Sequence, residues 1–280
     1  MIDVILHALP IAIVASTPLL LAVEGELVVQ RSGIINLGIE GMMLTAAMTA
    51  VIAQQATASV VAGFAGGILG AAIIAALFGV FAIRYRADQI VTGTAINLVA
   101  VGVTGFVYQA MGGGRLFAAS TMRDVAQYTV VLLAWIAIPA ALAVLLWMTR
   151  FGLRLRASGE NPEAVQHVHG YRWSALAIEA LLAGTGGAYL SLALSSGFAE
   201  NMTAGRGFIA LSIVIFGRWK VRGAIIGTAL FGVAAALQYT LQAMSIGLPF
   251  HLLLAVPYVV TLLILCGIAG RVRAPEALGK

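Results

Sequence analysis

The sequence predicts an all-α integral membrane protein with about nine transmembrane segments. Its 280 residues are 61% hydrophobic and only 10% charged, where soluble domains carry roughly 25% charge. The charges stand in clusters separated by long uncharged stretches. Those stretches approach the roughly 20 apolar residues that a helix needs to cross the hydrocarbon layer. A transmembrane barrel would show short alternating segments instead, and the sequence has none. No polar stretch is long enough for a separate soluble domain, so 1–280 reads as a single transmembrane domain.

The apolar periodicity places segments near 9–23, 34–53, 60–83, 90–110, 128–148, 175–194, 208–216, 224–243 and 252–269. The N-terminus lacks the basic region of a signal peptide, so the first run reads as a retained helix. The second segment carries Asn36, Gly38, Glu40 and Gly41 and is expected to be broken near its start. The seventh is too short to span as a regular helix. Irregular backbone at membrane depth survives only where protein or a water-filled cavity covers it, so both features point inward, toward a path.

Loop charges give an orientation. One side receives Arg31, Arg84, Arg86, Arg150, Arg154, Arg156, Arg172, Arg218, Lys220, Arg222, Arg271, Arg273 and Lys280, which is 13 of the 16 basic residues. Arg115, Arg123 and Arg206 remain on the other. The basic side is expected to be cytoplasmic, with the N-terminus outside and the C-terminus inside. The net charge of +5 is thus explained by loop anchors, and nucleic acid is not an expected partner, because the basic residues form no single face.

A short internal similarity links the two halves. Gly70–Val80 reads GAAIIAALFGV and Gly223–Val233 reads GAIIGTALFGV, identical at eight of eleven positions. Upstream, Gly33, Ile35, Leu37 and Ile39 parallel Gly207, Ile209, Leu211 and Ile213. The paired segments run in opposite directions in this topology, the pattern of the inverted repeats that flank transporter paths.

Few residues offer chemistry. No P-loop pattern occurs, so the chain has no ATP site of that kind. His167 and His169 sit in a loop without partners in metal-ligand spacing, so neither a metal nor a cofactor is expected. The lone Cys266 cannot form an intrachain disulfide. Thr94, Asn97, Thr104 and Tyr108 fall near one stripe of the fourth segment, and Thr228, Gln238 and Gln242 near one stripe of the eighth. Such stripes either line a polar path or bond neighbouring helices. Glu40 and Glu179 read as the acids inside apolar runs. Glu179, seven residues past Arg172, is expected to reach the inner interface or pair with a base. Glu40 is the better candidate for the helix break or the path.

The longest inner loop spans about 150–173. In it, Asn161-Pro162-Glu163-Ala164 reads as a helix start: Asn as cap, Pro in the first turn, Glu at the positive end of the dipole. A short helix lying on the cytoplasmic face is expected there, suited to docking.

The segment GENPEAVQHVHGYR resembles the cytoplasmic coupling loop of ABC importer permeases, in the branch that includes ribose, branched-chain amino acid and nucleoside permeases. RSGIINLGIEGMM from Arg31, RADQIVTGTAIN from Arg86 and MTAGRGFIALSIVIFGRW from Met202 agree with the same family. The combination is most similar to the shorter permease subunit of nucleoside or simple-sugar importers. The resemblance implies alternating access within a complex at the cell membrane. Its other members would be a second, longer permease subunit, ATP-binding subunits and an extracytoplasmic substrate-binding protein. Glu160, Asn161, Pro162, Glu163 and Ala164 would contact the ATPase, and Asn36, Gly38 and Glu40 would lie near the path. Nucleosides or nucleobases are the leading substrates, followed by simple sugars. The alternative, an ion-coupled transporter acting without an ATPase, rests on the repeat and Glu40, and the sequence offers no dense carboxylate relay for it.

The orientation is directly testable. A reporter that is active only outside the cell, fused after Lys280, is expected to be silent, and its activity would overturn the assignment.

Overall fold

Helix α1 (Ile2–Arg31) continues eight residues beyond the run expected at 9–23 and carries Glu24 and Glu26 inside it. After a non-helical stretch, α2 (Ile39–Thr57) begins, so the second expected segment is broken at its start. Ala58, in the left-handed region, ends α2, and Ser59 accepts a bond from the Ala62 amide to open α3 (Val60–Gly79), giving a tight hairpin. Asp88 caps α4 (Gln89–Ala110) through the Ile90 and Val91 amides. α5 (Asp124–Leu132) and α6 (Ile138–Met148) make one span through a π-helical turn at Leu133–Ala137. That turn lies just before Pro139, whose ring crowds the carbonyl four residues back and widens the helix. There follow α7 (Arg150–Glu160), α8 (Val168–Tyr189), the short α9 (Arg206–Phe216) and α10 (Val221–Ala243).

This computed structural model describes residues 2–113, 116–118, 124–195, 197–243 and 273–279. The expected ninth segment lies outside them, as do Arg115, Arg123, His251, Cys266, Arg271 and Lys280. Among the described residues five helices are long and apolar enough to cross a membrane: Pro10–Arg31, Val60–Arg84, Gln89–Ala110, Ala126–Met148 and Val168–Leu194. The only strand-like pairing there is a single bridge, Phe117 to Gly197.

α1 and α8 form the centre, 78% buried, and pack on each other. α2 and α3 pack against α8, α9 and α10 against α1, and α4 against α2. α4 and the α5–α6 span are only 28% buried and show Leu98, Phe106, Leu132, Ile136 and Met148 outward. The inside, by contrast, holds Glu24, Glu26, Gln30, Asn36, Asn97 and Glu179. Apolar surface turned out and polar groups turned in is the economical arrangement when the solvent is lipid.

Small residues set the helix spacing. A Cβ on Gly67 of α3 would stand 2.9 Å from Ala188 Cβ of α8 and 3.1 Å from the Ala46 carbonyl of α2. Three helices therefore meet at one hydrogen atom. Gly67→Leu is expected to destabilise the protein by about 2–3 kcal/mol through overpacking, read as an earlier thermal unfolding midpoint in detergent. Gly67→Ala should cost clearly less.

Candidate functional site: a caged helix break and the loop that grips it

Residues 32–38 separate α1 from α2 in the protein interior. Their backbone groups cannot use water, so each needs a protein partner. The Ile35 amide donates to Gln89 Oε1 at 2.7 Å and the Asn36 amide to Glu26 Oε1 at 3.4 Å. The Gly38 amide donates to Asn36 Oδ1 at 2.9 Å. Asn97 serves both sides, giving its amide hydrogen to the Leu37 carbonyl at 2.7 Å and accepting from the Gly41 amide at 2.8 Å. Gly33 sits at φ +94°, a turn that other residues adopt only with strain.

A carboxyl pair backs this cage. Glu26 also accepts from Gln30 at 2.8 Å, and Glu179 accepts from the Asn36 side chain at 2.7 Å. Glu26 and Glu179 are fully buried, and both accept from Asn36, one from its amide and the other from its side chain. Glu179 thus reaches neither the interface nor a base, contrary to expectation, because α8 lies at the centre of the bundle and turns that face toward α1. Glu24 and Glu26 also correct the reading that Glu40 and Glu179 were the acids inside apolar runs. Ending the first segment at residue 23 hid them. The i, i+4 pair Glu26–Gln30, visible in the sequence, is the signal that the helix continues.

Glu40 occupies the first turn of α2 and accepts from the Gly205 and Gly207 amides, at 2.8 and 2.6 Å. It therefore supplies negative charge at the N-termini of two helices at once, α2 and α9. A Cβ on Gly207 would come within 2.7 Å of Glu40 Cα, so glycine permits the contact.

The remaining sequence candidates do not share this place. Thr94 is exposed on α4 and bonds its own Ile90 carbonyl. Thr104 is buried and bonds the Ala100 carbonyl, while Tyr108 lies edge-on to Phe198 at 5.8 Å. The stripe of the fourth segment is thus split between a face on α2 and a face outside. The Gln238 and Gln242 side chains lie outside the described residues, and Thr228 is buried with its hydroxyl unpartnered.

The coupling segment differs in form from its prediction. Its helix, α7, precedes Asn161 and is capped by Thr149, which accepts from the Gly152 amide at 3.0 Å. Asn161 ends α7, and Pro162–Ala164 is one 3₁₀ turn without a side-chain cap. Proline disfavours helical backbone at the residue before it, so Asn161-Pro162 acts as a stop.

This loop grips the break. Ser158 donates to the Ser32 carbonyl at 3.1 Å, and a Cβ on Gly159 would collide with the Arg31 and Gly33 backbone. Arg31 bonds the Trp219 carbonyl, faces Glu160 at 3.9 Å and lies over the Trp147 ring, which Arg156 covers at 4.1 Å. Glu160, Asn161, Pro162 and Glu163 also line a cleft of about 820 Å³, together with Arg86, Arg172 and residues of the 273–279 segment.

Glu40→Ala is expected to leave one buried and one half-buried amide unsatisfied and cost about 2–3 kcal/mol, seen as lower thermal stability and faster proteolysis at 197–205. Glu40→Gln keeps an acceptor and should lose less. Equal stability of Glu40→Ala and the unaltered protein would remove the capping role.

The model of the family described as branched-chain amino acid transport system / permease component matches residues 8–265. The chain is 34% identical to the nucleoside ABC transporter permease protein NupC of Lactococcus lactis, over 95% of this chain and 93% of that protein. It is 32% identical to the guanosine ABC transporter permease protein NupQ of Bacillus subtilis, over 96% and 94%. The putative glucose ABC transporter permease protein TsgC13 of Haloferax volcanii is 34% identical, over 84% and 77%. No solved structure matches the chain. Agreement over nearly the whole length, with the caged break and the gripping loop both inside the matched residues, makes this chain a member of the branched-chain amino acid transport permease family.

Proposed function

We propose that this chain is the permease subunit of an ATP-driven importer of nucleosides. The observation that carries the substrate is the full-length similarity to two permeases named for nucleosides and guanosine. One relative is named for glucose, so simple sugars are the second substrate class. The relatives do not favour an ion-coupled transporter acting alone.

In this reading, ATP-binding subunits dock on Glu160, Asn161, Pro162, Glu163 and Ala164, a substrate-binding protein delivers from outside, and a second, longer permease completes the path. Support for coupling comes from the grip just described, because Ser158, Gly159 and Glu160 all bear on 31–33. A displaced loop therefore drags the break. Asn36, Glu40 and Asn97 act in this reading as positioning residues that hold the path wall in shape. Thr94, Thr104, Tyr108 and Gln238 are assigned to the wall itself on α4 and α10. The remaining spans complete a nine-segment topology, with the basic end cytoplasmic.

The two motif-bearing pairs, α2–α3 and α9–α10, are assigned as halves of an inverted repeat that rock about their meeting point. Their starts touch at Glu40 and Gly207, which suits a pivot.

Reconstituted with its partner subunits, the chain is expected to take up labelled guanosine, with glucose a poor competitor. A hydrolysis-dead ATP-binding subunit should reduce uptake to background. Uptake that persists with that subunit would exclude the ATP-driven mechanism, and glucose uptake without nucleoside uptake would reassign the substrate.

A further inference from the structure

We propose that the segment 273–279 forms one wall of the ATPase-docking cleft, where Glu276 receives a basic side chain of the ATP-binding subunit. The inference rests on the coupling role proposed for Glu160–Ala164.

The segment is fixed to the loop and to the break at once. The Ala277 amide donates to the Gly159 carbonyl at 2.9 Å, and the Gly279 amide to the Gly33 carbonyl at 3.1 Å. A turn closes it, with the Leu278 amide bonded to the Pro275 carbonyl at 3.1 Å. Pro275 and Ala277 are buried and Leu278 packs against the main core. Glu276, between two buried neighbours, is left exposed and lines the same cleft as Glu160, Asn161, Pro162 and Glu163. A partner that touches the coupling residues from inside this cleft has the tail beside it.

Charge selects the kind of partner. Four carboxylates line the cleft, Asp88, Glu160, Glu163 and Glu276, against two guanidiniums, Arg86 and Arg172. This acidic concavity lies at the end of the molecule that gathers Arg31, Arg86, Arg156 and Arg172. Asp88 is committed to the start of α4, and Glu160 faces Arg31. Glu163 and Glu276 have no ion pair among the described residues. A cationic side chain entering between them would be held by two carboxylates in a partly desolvated cleft, where attraction exceeds that at an open surface.

The test uses the assembled complex carrying Cys266→Ser. A single cysteine at Asn161 or at Glu276 is labelled with benzophenone maleimide and irradiated. Adducts to the ATP-binding subunit from both positions are expected. An adduct from position 161 alone overturns the tail wall and leaves the coupling role intact. Adducts from neither position overturn both.

A second measurement addresses the charge. Glu276→Lys is expected to lower retention of the ATP-binding subunit roughly fivefold at low salt and by less at high salt, with Glu276→Gln intermediate. Unchanged retention of Glu276→Lys at both salts overturns the electrostatic role. Glu276 is exposed and makes no internal bond among the described residues, so these variants leave the fold intact.

Discussion

Seven residues of non-helical backbone inside a membrane domain are the constraint on which the rest of this structure depends. Lipid cannot bond the amides of this stretch; those of Ser32, Gly33 and Ile34 turn back on carbonyls of α1, and those of Ile35, Asn36 and Gly38 take polar side chains. Glu26 comes from α1, Gln89 and Asn97 from α4, and Asn36 from the break itself, backed by Glu179 from α8. The side chains come from α1, α4 and α8 as well as from the break, so the cage also fixes how those helices pack. Removing one member orphans another, which is why the network behaves as a unit.

The same segment joins the two ends of the proposed mechanism. On one side, Glu40 ties the start of α2 to the start of α9. On the other, Ser158 and Gly279 bond the carbonyls of Ser32 and Gly33, and Arg31 reaches both Glu160 and the Trp219 carbonyl. A rigid helix α7 ending in Asn161-Pro162 transmits displacement better than a free loop does, since its last turn is pressed against backbone rather than against mobile side chains. The break is therefore irregular in backbone and yet tightly held.

Much of this was written in the sequence. The apolar runs, a break near the start of the second segment, the shortness of 208–216 and the family resemblance were all legible, because membrane helices announce themselves by length and composition. Other features were hidden for physical reasons. Glu24 and Glu26 looked like the end of a helix, since charge normally marks a boundary. The polar stripe of α4 looked continuous, although its helical phase puts Asn97 toward α2 and Thr94 outward. Asn161-Pro162 looked like a helix start, because a cap motif and a stop motif share the same residues.

By itself, then, the sequence determined that the chain is helical, where its backbone departs from helix, and which family it belongs to. Each of these follows from local composition or from residues contiguous in the chain. Only the tertiary structure decided what the buried acids do. Glu179 with Asn36, Glu40 with Gly205 and Gly207, and Gly33 with Gly279 meet across more than a hundred residues. No periodicity encodes such pairs. They follow from which helix faces which, and that is settled by glycine-permitted packing and by the need to bond the backbone of the break away from water.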